Sequence, residues 1–109
     1  MIAIALLLAQ AITPPPAPVP APPRPAEEIW MQKCKLCHGE DGRSRTVKGR
    51  KLKAPDFTGQ KWQTHTDDRE IVEAIENGIP KREMPAFKDK LTPEEIQSLK
   101  AFVRAFGRK

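Results

Sequence analysis

Cys34, Cys37 and His38, in the run Cys34-Lys35-Leu36-Cys37-His38, are the residues best placed to do chemistry. Two thiols about a helical turn apart can reach the two vinyl-derived carbons on one edge of a porphyrin. The adjacent histidine then turns under the ring and gives a nitrogen to iron. This is the attachment pattern of c-type haem, here one haem c per chain. Three other chemistries use the same residue types. A thioredoxin-like pair needs a βαβ context, and no segment reads that way. A zinc site needs four ligands in a closed shell, and the chain offers Cys34, Cys37, His38 and the distant His65. A Cys34–Cys37 disulfide is the default in an oxidising compartment if haem is never attached.

Iron bound by one histidine needs a sixth ligand or an open position. Met84 is the leading candidate. It lies between two expected helices, and Pro85 pushes it into extended backbone from which its thioether can project inward. The competing role is that of a buried gap-filling side chain. Met31, three residues before Cys34, is expected to pack in the first helix, because the sixth ligand must approach from the face opposite His38. His65 precedes a helix beside acidic residues and reads as a surface residue; as a second imidazole it would lower the potential.

The elements that must position these groups are helical. Residues 26–37 place Ile29, Trp30, Lys33, Cys34 and Cys37 on neighbouring turns, with Glu27 and Glu28 at the positive end of the helix. The stretch 39–60 is rich in Gly, Pro, Lys and Arg without periodicity, and is expected to be a long loop wrapping the cofactor. A helix follows over 67–76, with Asp67 and Glu70 spaced as a capping box and Asn77-Gly78 as the stop. The last helix opens on Thr92-Pro93 with Glu95 completing its box, repeats Ile96, Leu99, Phe102, Val103 and Phe106, and stops at Gly107. No run alternates as a strand does, so the class is all-α, without internal repeats.

Length leaves room for one domain: 109 residues with 39% hydrophobic content build a thin core, which a cofactor would fill. Residues 1–11, an apolar run closed by Ala9-Gln10-Ala11, read as a signal peptide, which implies a periplasmic or other extracytoplasmic location. The segment lacks a basic start, and its rival reading is an uncleaved anchor, although it falls short of the ~20 residues that span a bilayer. Residues 12–25 contain eight prolines in fourteen positions and read as an extended linker, reaching roughly 40 Å at ~3.1 Å per residue. Residues 26–109 are the domain. The formal net charge is +5. Arg43, Arg45, Lys48, Arg50, Lys51 and Lys53 crowd one stretch, while Lys81, Arg82, Lys88 and Lys90 flank Met84. Such a ring would steer docking to an acidic redox protein. Nucleic acid is excluded by export and by the absence of interleaved aromatics.

From residue 26 to 109 the chain resembles the class I cytochromes c. Cys34 to Gly39, Ala54-Pro55-Asp56-Phe57, Asn77-Gly78-Ile79-Pro80, Met84-Pro85-Ala86-Phe87 and the final amphipathic helix occur in that family's order. The resemblance implies a small fold of three to four helices with long loops around one covalent haem, and His38 and Met84 as axial ligands. It implies a crossing of the first and last helices at Trp30 against Leu99, Phe102 or Val103. It also implies that the Pro55 carbonyl accepts a hydrogen bond from His38, and that Trp62 lies near the propionates with its indole N–H as a donor.

The function expected on these grounds is one-electron carriage without substrate chemistry. Two alternatives remain. One is a haem enzyme or sensor with a displaceable sixth ligand, for which Arg82 is the nearest distal polar residue. The other is a tethered subunit that passes electrons within a larger redox complex.

Overall fold

The computed structural model describes residues 2–5, 10–19 and 21–108. Of the expected signal peptide, residues 1 and 6–9 lie outside the described residues. The described part of the proline-rich stretch, 12–19 and 21–25, has no helix or strand and is largely exposed. No helix among the described residues is long and apolar enough to cross a membrane.

Among the described residues, five helices make up the domain. α1 is a continuous run composed of Ala26–Ile29, a π-helical turn at Trp30–Cys34, and Lys35–His38. The wide turn covers the segment that delivers Cys34, and such turns concentrate at functional sites. α2 is Val47–Leu52, α3 Gln60–His65, α4 Asp68–Asn77 and α5 Pro93–Phe106. The loop expected over 39–60 is present except where α2 interrupts it and where α3 begins at its last residue. Thr46 starts α2 by accepting from Gly49 N–H, and Lys53 ends it in a left-handed conformation, a local arrangement too short to leave a periodic signature. The described residues include no named strand, only an isolated bridge between Ile79 and Met84.

The other helix ends follow the expected chemistry. Asp67 accepts from Glu70 N–H to open α4, and Thr92 and Glu95 close a reciprocal capping box on α5. Glu95 does more than cap. Its second carboxylate oxygen receives both the backbone N–H and the Nε of Arg24, tying the end of the proline-rich segment to the start of α5.

The core is the contact of α1 with α5, closed by α4. Ile29, Trp30, Leu99, Val103 and Phe106 are buried there, with Ile71 and Ile75 from α4. Trp30 meets Phe102 and Phe106, with centroids 5.2 and 5.0 Å away. Phe102, the aromatic among the expected partners, is thus in ring contact. Leu99 and Val103 are buried in the same cluster and line a cavity together with Trp30.

Candidate haem site

Between α1, α4, α5 and the turn before Met84 lies an apolar cavity of about 270 Å³, and a smaller one of about 70 Å³ adjoins it. Cys34, His38, Pro55, Ile79, Met84 and Phe87 line both, and Cys37 lines the smaller. The structure thus brings together the two thiols, the histidine and the methionine that the sequence singled out, from segments almost fifty residues apart.

The His38 side is built from hydrogen bonds to consecutive carbonyls at the end of α1. Thr46 Oγ1 donates to the Cys37 carbonyl at 3.0 Å, Ser44 N–H to that of His38 at 2.9 Å, and Trp30 Nε1 to that of Gly39 at 2.8 Å. These carbonyls would otherwise lack helical partners. The imidazole stacks on Phe57 at 4.8 Å and has the Trp30 ring beside it at 5.7 Å. Its Nδ1 is sealed from solvent and has no hydrogen-bond partner. Burial lowers the His38 pKa to about 4 and so favours the neutral imidazole, the form that ligates a metal. Burial also pushes the Cys34 thiol up to about 11, which keeps it protonated. Both cysteines are free thiols.

The Met84 side is a turn. Gly78 ends α4 at φ 69°, a 3-10 turn runs Pro80–Arg82, and Ile79 and Met84 exchange backbone hydrogen bonds of 3.0 and 3.2 Å. A Cβ at Gly78 would run into the Met84 carbonyl and come within 2.8 Å of Ala86 N, so only glycine lets the turn close. Phe87 N–H to the Ile75 carbonyl (2.9 Å) docks the turn on α4. The extended backbone expected at Met84 is present, and its half-buried side chain lines both cavities.

Other expectations fare differently. His65 is exposed, its Nδ1 2.8 Å from the Lys61 carbonyl, and does not line the cavity. Met31 is 42% exposed rather than packed, because it lies about 100° around the helix from the buried Trp30. Trp62 lines the larger cavity and packs on Phe57 at 4.6 Å. Pro55 lines both cavities, but its carbonyl accepts from Ser44 Oγ at 2.6 Å, with no bond from His38. The Arg82 guanidinium donates to the Lys53 carbonyl at 2.7 Å. The roles of Ser44, Thr46 and Phe57 were missed. Phe57 stood inside a quoted motif, whereas a lone serine and threonine in a basic stretch carry no spacing signal.

The donor set fits a covalently held haem: two free thiols on one edge, a sealed neutral imidazole, and a thioether facing the same apolar space. The family model described as cytochrome C oxidase, cbb3-type, subunit III, matches residues 21–103. The chain belongs to this family of c-type cytochromes. Haem c is its cofactor, and haem-based electron transfer is its activity. A relative named Cbb3-type cytochrome c oxidase subunit FixP, from Azorhizobium caulinodans, is 34% identical over 80 residues. That match covers 73% of this cytochrome and 26% of the relative, so the chain spans about a quarter of that protein's length. Among solved structures, KustC0563 c-type cytochrome is 43% identical with a TM-score of 0.70, over 74% of this chain and 95% of that one. A mutant of the same protein matches at 42% identity and TM-score 0.70, over 76% and 99% of the two chains. The small all-α cytochrome fold expected from the sequence is thus present, with five helices.

Proposed function

We propose that this domain is an extracytoplasmic one-electron carrier, with Cys34 and Cys37 bonded to the haem and His38 and Met84 as its axial ligands. The observation that carries the reading is the sealed, unpartnered imidazole of His38 lining the same cavity as Met84 and Cys34. The haem supplies the redox change. The chain's residues hold it, exclude water with Phe57, Ile71, Leu99 and Val103, and present a fixed donor from each side. Arg82 supports the carrier over the enzyme or sensor alternative, because its guanidinium is engaged by a backbone carbonyl.

A groove beside the cysteine edge is lined by Arg45, Lys48 and Lys51 around Leu36 and Val47, with Lys35 paired to Glu40 and with Asp41 and Glu83 at its margin. Basic residues around exposed Leu36 and Val47 suit an acidic redox protein with an apolar centre. A second reading, a tethered subunit of an oxidase-type complex, is favoured by the likeness to the FixP subunit and by the proline-rich segment clamped through Arg24. The role of 1–11 as a signal peptide belongs to the same proposal.

Absorption spectra of the matured protein, oxidised and reduced, with and without carbon monoxide, test the ligation. A low-spin spectrum with the far-red sulfur-to-iron band and no carbon monoxide shift is expected. A high-spin or carbon-monoxide-binding haem would overturn Met84 and bring the enzyme or sensor reading forward. Deleting 12–25 separates the two carrier readings: a free carrier keeps its rate of delivery to the partner, and a tethered one loses it.

A further inference from the structure

Two distant segments line the smaller cavity. Leu52, Ala54 and Pro55 come from the end of α2 and the residues after it, and Arg82, Glu83, Met84 and Pro85 from the methionine turn. Arg82 joins the two, its Nη1 donating to the Lys53 carbonyl at 2.7 Å. Lys53 ends α2, so its carbonyl is one of those a helix leaves without an internal partner, and a cationic donor makes the stronger, charge-assisted kind of bond there. Both sides of the contact are strained. Lys53 is held at φ 56° and Glu83, next to Arg82, at φ 55°, left-handed conformations uncommon for residues other than glycine. Strain of this kind persists where surrounding contacts impose it, and it clusters at ligand clamps and switch regions.

We propose that Arg82 is a positioning residue for Met84: by pinning the methionine turn to the end of α2, it keeps the thioether facing the cavity. The proposal rests on the reading of Met84 as an axial ligand. The bonds that close the turn are local, between Ile79 and Met84 and from Arg82 N–H to the Ile79 carbonyl at 2.9 Å. They shape the turn without attaching it to anything else. Two backbone bonds attach it to α4, from Phe87 N–H to the Ile75 carbonyl (2.9 Å) and from Lys88 N–H to that of Glu76 (3.2 Å). The Arg82 side chain supplies the attachment on the other side. Without it the turn is held from α4 alone and opens more often as a unit, carrying Met84 with it. Because the bond is exposed, water competes for both partners and its net worth is small. It therefore governs how often the turn opens while contributing little to the fold.

Arg82→Ala and Arg82→Lys, each in the full matured holoprotein at neutral pH, test this. Alanine removes the donor, whereas lysine keeps a cationic one. The first readout is the rate at which saturating imidazole replaces Met84 on the oxidised haem, which is limited by opening of the turn. The second is hydrogen exchange at the Ile79 and Met84 amides, whose bonds to each other close the turn. In Arg82→Ala both rates are expected to rise about fivefold, the order of what losing one exposed hydrogen bond does to an opening equilibrium. In Arg82→Lys both stay close to the parent. An Arg82→Ala protein with the parent's imidazole and exchange rates, changed only in melting temperature, would overturn the proposal and leave the contact a surface hydrogen bond. Failure of the ligand reading shows separately, as a Met84→Ala protein with the parent's spectrum, and removes the proposal with it.

Discussion

His38 reaches the cavity from a helix whose last carbonyls are each held by a separate donor, whereas Met84 reaches it from a turn that closes through two backbone bonds to Ile79. On the histidine side, a ring stacked on the imidazole, a second ring beside it and a buried serine bonded to the His38 backbone leave the residue little freedom. On the methionine side Pro85 and Ala86 are exposed, and Glu83 adopts a left-handed φ of 55°. Few buried contacts and exposed backbone bonds mark the elements that open first. The two proposed axial positions of this cytochrome thus differ in how they are held: the attachment side is expected to stay formed, and the methionine side to loosen ahead of global unfolding.

The strongest way to break this comparison is to exchange the two donors for alanine. His38→Ala is expected to abolish the low-spin spectrum and to cut the yield of matured holoprotein more than tenfold, read by reduced-haem absorbance per protein. Met84→Ala keeps the haem but gains carbon monoxide binding and a lower potential; unchanged ligation in that variant would remove Met84 from the iron. Gly78→Ala sharpens the contrast without touching a donor. Its Cβ meets the Met84 carbonyl, and a cost of about 2 kcal/mol is expected from strain and overpacking. Most of that cost should appear as early loss of the far-red band on heating, ahead of the far-UV circular dichroism transition. Coincident loss of both signals would mean that the methionine turn is no weaker than the rest.

Trp30→Phe keeps an aromatic between α1 and α5 but deletes the bond to the Gly39 carbonyl, at about 1 kcal/mol. That loss should appear in global denaturant stability, with the far-red band persisting up to the unfolding transition. The smallest effect lies away from both donors. The Arg24 side chain, with the backbone N–H groups of Thr92 and Arg24, lowers the Glu95 pKa from its ordinary 4.5 to about 2. A depressed carboxyl contributes stability that is complete above pH 4.5 and is lost as pH falls toward 2. Glu95→Gln should therefore be less stable than the parent by about 1 kcal/mol at neutral pH, with the gap closing across that acid window in denaturant titrations. Both axial spectra should stay unchanged at neutral pH, because the clamp joins the proline-rich segment to α5 rather than to either donor.

Much of the chemistry was legible because it depends on spacing within one segment. Cys34, Cys37 and His38 share a helical turn and a half, so their register on α1 follows from the chain alone. The caps of α4 and α5 were legible for the same reason, since Asp67 with Glu70 and Thr92 with Glu95 act over three residues. Where spacing gave way to packing, the reading faltered. Met31 turned outward because what covers each side of α1 is decided by the elements packed on it. Phe106 joined Phe102 against Trp30 without having been expected there, because the rotation of α5 is set by what faces it.

By itself, then, the sequence determined the attachment register, the caps, the all-α class and the glycine that stops α4, all interactions among residues close in the chain. Only the tertiary structure decided that Ser44 takes the Pro55 carbonyl, that Phe57 stacks on His38, that Arg24 clamps Glu95 and that His38 Nδ1 is sealed. Each of these joins groups at least ten residues apart, or depends on burial by several elements at once. Such pairings are fixed by which folded arrangement excludes water and satisfies buried polar groups together, a condition on the whole molecule that no local pattern records.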